Sequence, residues 1–307
     1  MYPTRQPEAF TARLAPRPRA RVWLALVLLL AARAPASAWW PEGHAILTRA
    51  AIQAVPKSLP AFFRQGGAAA AHASFDPDLA KNRNTPSLRD GESPEHYLDL
   101  EYLKGKTLPV TRYAYLRLCA RNSLDPSRVG LLPYAVAEWT ERLAVAFAEH
   151  RRWPNDPHIR AKCLLYAGFL AHYAQDLCQP LHTTIHYDGR VRADGSSPHT
   201  GIHTKVDALV ERLHLRPAEL AAGQRITPAA RLMPAITGEI TRSRALVDRV
   251  YTLDTKVKAT GSTWTRAPEA VAFGQERARA SVRFTAMLYA TAWQQSARVK
   301  LPAWLQR

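Results

Sequence analysis

The chain has 307 residues, of which 47% are hydrophobic and 22% charged, with a formal net charge of +17. That apolar content is ample for a buried core and excludes an extensively disordered chain. Three cysteines, a small and odd number, exclude a dense disulfide framework.

The first 38 residues stand apart from the rest. Arg5, Arg13, Arg17, Arg19 and Arg21 form a basic leader, an unbroken apolar run extends from Val22 to Ala32, and Ala36-Ser37-Ala38 follows. This order reads as a secretory signal peptide cut between Ala38 and Trp39. An apolar run of that length covers only about half of a bilayer core, so a membrane anchor is the weaker reading. The expectation is an exported chain, periplasmic or extracellular. The leader holds six arginines and one glutamate, so its removal lowers the net charge from +17 to +12. Such a surplus attracts nucleic acid, acidic lipid head groups or phosphorylated small molecules without choosing between them. Lys and Arg are scattered along the chain, and a generally solvated basic surface is the alternative.

Downstream, the periodic segments are helical. They cover about 43–55, 132–151, 158–178, 203–213, 229–250 and 268–296. In the second, Leu132, Ala135, Val136, Trp139, Leu143, Val145 and Phe147 give an apolar stripe. Pro and Gly mark the joins at Pro56, Pro154, Pro180, Gly195, Pro198 and Pro217. Alternating strand patterns are nearly absent. Short joins between such helices imply one all-α domain of antiparallel packed helices over 39–307. Cys163 and Cys178 share a predicted helix roughly 22 Å apart and cannot bridge each other. All three cysteines are expected to be buried, with a pairing of Cys119 to one of the others left open.

Histidines and carboxylates recur on these helices at one-turn spacing. His172 and Asp176 are four apart within an otherwise apolar segment, so both can reach one ion from the same face. In Gln179-Pro180-Leu181-His182 the proline ends the helix and turns His182 back towards it. His203 and Asp207 repeat the spacing. A lone pair of this kind is more simply a core histidine bonded to a carboxylate, but two pairs and an intervening histidine within 36 residues favour a metal site. Upstream lie His44 in the first helix, Asp78 at a predicted helix start, and His96 in His96-Tyr97-Leu98-Asp99. Five imidazoles, three carboxylates and no thiolate suit zinc with positions left open for water. Several such ions close together suit in-line displacement at phosphorus.

In this order, Trp39-Trp40-Pro41-Glu42-Gly43-His44, Asp78, His96, His172-x3-Asp176-x5-His182 and His203-x3-Asp207, the chain resembles the trinuclear zinc superfamily. That superfamily comprises the single-strand-specific nucleases secreted by fungi and plants and the bacterial zinc-dependent phospholipases C. The resemblance spans Trp39 to Asp207 and implies a helical domain built around three zinc ions. It implies that Asp78, His96, His172 and Asp176 hold a first ion. The α-amino group and carbonyl of Trp39, with His44 and the bridging Asp176, would hold a second. His182, His203 and Asp207 would hold a third. It further implies catalysis through Asp78, Asp176 and hydroxide bridging the close pair, with the third ion stabilising the departing oxygen.

The short interval from Trp39 to His44 and the aspartate at 207 resemble the nucleases, whereas His172-Tyr173 and His203-Thr204-Lys205 look at least as much like the phospholipases. In the nuclease branch Tyr97 would stack on a base and Asp99 would contact its edge. The alternative is that Tyr97 packs in the core and Asp99 orients a zinc-bound imidazole. Positive charge favours a polyanion, so single-stranded DNA or RNA is the first expectation and a phospholipid surface the second. An exported zinc-binding protein without activity is the third. Nothing calls for an obligate protein partner. His186, His199 and the 189–198 stretch read as loop beside the third site, and the chain beyond Leu213 as helices closing the core.

Overall fold

A computed structural model describes residues 39–257, apart from 191, 193, 195 and 200, and residues 267–306. The expected leader, residues 1–38, lies outside the described residues. Every regular element among the described residues is helical. None of these helices is long and apolar enough to cross a membrane.

The principal helices are α1 (Pro41–Ala54), α2 (Gly67–Ala73), α3 (Asp76–Ala80), α4 (Pro86–Glu92), α5 (Leu132–Arg152), α6 (Pro157–Cys178), α7 (Ile202–Asp207), α8 (Leu209–Arg212), α9 (Leu232–Arg244) and α10 (Pro268–Ser296). Local chemistry sets their starts. Asp156 caps α6 by accepting from the amides of His158 and Ile159 at 2.8 and 3.2 Å, and Pro157 supplies the preset φ of a first helical position. Pro41 does the same for α1.

The core forms where α5 packs against α6 and α10, with α1, α2 and α9 around them. A second apolar cluster joins Trp39, Leu47, Val206, Leu209, Val210, Phe273 and Val282 at the other end of α1. Helix α6 is the central element. From Ala167 to Cys178 every residue except Phe169 is buried, polar ones included, so its histidine and carboxylate must find partners inside the protein. Gly168 lets α2 come close. A Cβ there would sit 2.6 Å from Ala70 O and 2.6 Å from Ala73 Cβ.

Several expectations change. The segment 203–213 is two short helices, broken at Ala208. The break coincides with the carbonyl of Asp207 accepting from the Trp40 amide at 3.4 Å. The segment 229–250 begins only at Leu232, the Ala229 amide being taken by Thr291 Oγ1 at 2.8 Å. It divides again before a short helix at Val247–Thr252. Val145 is 43% exposed and leaves the α5 stripe. All three cysteines are buried and free, so Cys119 pairs with neither of the others.

Candidate metal centre

Three groups of side chains bring metal-ligating atoms within 4.8 Å of one another: His44, Asp78 and His172; His96, His172 and Asp176; and His182, His203 and Asp207. They come from α1, α3, α6, α7 and two 3-10 turns, Ser93–His96 and Pro180–Thr183. The third set is the one expected from the sequence. The other two interleave through His172.

Asp176 sits at the middle. Its Oδ2 lies 3.0 Å from His96 Nδ1, 3.4 Å from His172 Nε2 and 3.9 Å from His182 Nδ1. Its Oδ1 faces His44 Nε2 at 3.5 Å. Asp78 Oδ1 is 3.9 Å from both His96 Nδ1 and His172 Nε2. Within the third group His203 Nε2 is 3.3 Å from Asp207 Oδ2, and the His182 and His203 rings meet edge-on at 5.0 Å.

Outer hydrogen bonds aim these ligands. His44 donates Nδ1–H to Gln175 Oε1 at 2.7 Å, His172 to Ser74 O at 2.8 Å, and His182 to His96 O at 2.6 Å. Each therefore keeps its Nε2 lone pair for the interior. Gln179 Nε2 donates to Asp207 Oδ1 at 2.6 Å. Buried atoms left without a hydrogen-bond partner include His44 Nε2, Asp176 Oδ1, His182 Nε2 and both ring nitrogens of His203. Buried polar atoms rarely go unpaired. Here they converge, and a set of imidazole nitrogens and carboxylate oxygens with unclaimed lone pairs is what a zinc ion takes up, so these residues fit the metal.

Trp39 is fully buried. Its indole donates to Gln175 O at 3.2 Å, and the next amide, Trp40 N–H, to Asp207 O. The Trp39 side chain is thus tied to α6 and the residue after it to α7.

Electrostatics follow burial and neighbours. Burial lowers the His44 imidazole to about 3, helped by His172 and opposed by Asp176. Burial likewise lowers His203, with the charges of His182 and Lys81 adding. Burial would raise Asp176, but His172 and His182 outweigh it and hold the carboxyl well below its usual range. Asp78 is drawn down against its burial by His172, Lys81 and His96. Asp207 goes the other way, pushed well up by burial against the Gln179 hydrogen bond.

Sequence reasoning missed four contributors. Lys81, three residues after Asp78 and therefore on the same side, places its half-buried ammonium 2.5 Å from Asp78 Oδ1. Its charge acts on His172, His182, His203 and Asp207 alike. Glu92, Gln175 and Gln179 hold ligands in place, and the spacing of Glu92 from His96, with Gln175 in α6 and Gln179 just after its end, was the available signal. Tyr97 is half-buried and gives its hydroxyl to Ser127 O at 2.6 Å. The outer nitrogen of His96 meets Glu92 at 3.2 Å. Asp99 takes none of the outer imidazole hydrogen bonds; burial and the Glu101 charge raise its carboxyl to about 7 against Arg244. His199 bonds Asp254 at 3.0 Å and stacks on Tyr251.

No known protein-family profile matches the chain, and no curated protein matches it. Among solved structures, the chain is similar to the alpha-toxin of Clostridium perfringens from avian strain SWCP, with 14% identity over 86% of this chain and 65% of that one, at a TM-score of 0.45. It is also similar to the alpha toxin of Clostridium absonum, with 15% identity over 85% of this chain and 64% of that one, at a TM-score of 0.43. The chain thus spans a little under two thirds of the length of either toxin.

Proposed function

We propose that this chain is an exported zinc-dependent phosphodiesterase, and that its substrate is a phospholipid. The observation that carries the first part is the convergence of five imidazoles and three carboxylates from separate elements, with buried lone pairs turned inward. Zinc held there supplies a Lewis acid for phosphoryl oxygens and lowers the pKa of water. Trp39, His44, Asp78, His96, His172, Asp176, His182, His203 and Asp207 are the residues that would hold it.

The protein's own groups then divide the work. Asp176 and Asp207 have side-chain exposures of 0% and 1%, whereas Asp78 has 11%. Asp78 is thus the carboxylate placed to meet an entering molecule, and Lys81 beside it keeps it ionised. The Lys81 ammonium is also available to a non-bridging phosphate oxygen. His44 and His182, fixed as Nδ1–H tautomers and lowered by burial, stay neutral and cannot misplace a proton during the reaction.

Surroundings favour a lipid ester over nucleic acid. Leu79, next to Asp78, is 63% exposed, and residues 82–91 are exposed throughout, with Leu88 at 52%. Tyr187, 46% exposed, lies 5.6 Å from the His203 ring. An apolar rim among cationic residues suits acidic lipid at a membrane surface. Tyr97, with its hydroxyl tied to Ser127 O, is less available to stack on a base. The test compares zinc-loaded protein on mixed micelles of neutral and acidic phospholipid with single-stranded DNA and RNA. Release of phosphorylated head group is expected. Nucleotide release without lipid cleavage would replace the substrate assignment, and no hydrolysis of either would sink the reading.

A further inference from the structure

Among the imidazoles that make an outer hydrogen bond, His96 is turned over. His44, His172 and His182 give away Nδ1–H and keep Nε2 for the centre. In His96, Nε2 faces outward to Glu92 Oε1 at 3.2 Å, and Nδ1 faces inward, 3.0 Å from Asp176 Oδ2 and 3.0 Å from His172 Nε2.

A neutral imidazole carries one proton, and its location decides which nitrogen can bind a metal. With the proton on Nδ1, His96 would donate it to Asp176 Oδ2 and close both the nitrogen and the oxygen to an ion. An ionised carboxylate only accepts. Glu92 therefore draws the proton to Nε2 and leaves the Nδ1 lone pair facing inward. The oxygen that does so is itself held: Tyr173 donates its hydroxyl to the same Oε1 at 2.5 Å. Tyr173 belongs to α6 and stands between His172 and Gln175, so the helix that carries two ligands also fixes the group that sets the tautomer of a third. Glu92 is the last residue of α4, one turn before His96, and its side chain is 15% exposed.

We propose that Glu92, braced by Tyr173, is a positioning residue that sets the tautomer of His96 and so opens Nδ1 to a zinc ion. The inference rests on the reading of this centre as a zinc site, and its test has a part that does not.

Glu92→Gln keeps the shape, but an amide can donate as well as accept and no longer chooses the tautomer. Two measurements on the full mature chain decide the matter. The first is ring ¹⁵N NMR of His96 in chelator-treated protein. Wild type is expected as the Nε2–H tautomer, and Glu92→Gln is expected to gain a substantial Nδ1–H population. The second is zinc affinity by competition with a chromophoric chelator, where Glu92→Gln is expected to weaken one ion about 10- to 100-fold. Tyr173→Phe, which leaves the carboxylate but removes its brace, is expected to shift both readouts in the same direction by less, and it serves as the second variant if Glu92→Gln does not fold. An unchanged tautomer and unchanged affinity in a folded variant overturn the role of Glu92. A wild-type protein that binds no zinc overturns the function proposed above, while the tautomer measurement still decides this one.

Discussion

His44 Nε2 faces Asp176 Oδ1 across 3.5 Å, and neither atom has a hydrogen-bond partner. The other oxygen of the same carboxylate faces His96 and His172. One carboxylate thus presents its two oxygens to two different sets of imidazoles, as a bridge between neighbouring ions would. Asp176→Asn replaces one of these oxygens by a donor. The expected outcome is loss of the two close ions and an activity loss of roughly 10³-fold, the scale of several kcal/mol of charge stabilisation. Zinc content by elemental analysis and initial rates check it; wild-type values for both would refute the bridging role.

Trp39 supplies a second prediction. If cleavage leaves its α-amine as a ligand, a protein that retains Ala38 has an amide there instead. Such a protein is expected to lose one zinc and most of its activity, with its helical circular dichroism unchanged. Full zinc content in that form would count against any role for the Trp39 amine.

The buried histidines make stability depend on pH in a definite direction. His44 is lowered to about 3 from an ordinary 6.5. Below 6.5 the unfolded chain takes up a proton that the folded chain refuses, so this contribution is present above 6.5 and is lost as pH falls from 6.5 towards 3. His182 and His203 act in the same sense, while His172, which is raised by Asp176 and Asp78 against its burial, acts oppositely. Asp207, raised by burial, also acts oppositely above its ordinary range. A difference isolates the His44 part. Melting of metal-free wild type is expected to fall more steeply across that window than melting of His44→Asn; parallel curves would mean that His44 is not held neutral.

Packing can be tested away from the ligands. Gly168→Ala puts a methyl group 2.6 Å from the backbone of α2, which is followed directly by Ser74, whose carbonyl holds His172. Overpacking of this kind costs about 1–3 kcal/mol, and denaturant unfolding should show it. Zinc affinity should fall as well, because α2 cannot retreat without moving Ser74 O. A destabilised variant with intact zinc affinity would show that the two are uncoupled.

Much of the centre was legible because helix periodicity places ligands. His172 and Asp176 lie one turn apart on α6, whose capped start and apolar run mark it plainly, and His203 and Asp207 repeat the arrangement. What periodicity could not supply was any partner from another element. The break at Ala208 coincides with the docking of Trp40, over 160 residues earlier in the chain. Lys81 looks like a surface lysine until α3 is packed against α6. Glu92 looks like the end of an exposed helix until Tyr173 reaches it. Tyr97 and Asp99 draw their expected roles from the resemblance of His96-Tyr97-Leu98-Asp99 to the nuclease branch, and position along the chain does not say which way a side chain turns after a 3-10 turn.

Residues 82–91 are exposed from end to end, yet the chain on either side is pinned, by Asp78 and Lys81 before it and by Glu92 and His96 after it. The turn at 82–85, which leads into α4 between these held ends, can change in length at small thermodynamic cost, roughly 0.6 kcal/mol for each doubling. The ligands would feel little of such a change. This stretch is therefore an exchangeable part. Its length and side chains could be rewritten, by natural drift or by grafting, to present a different surface to whatever approaches, while the chemistry beneath it stays the same.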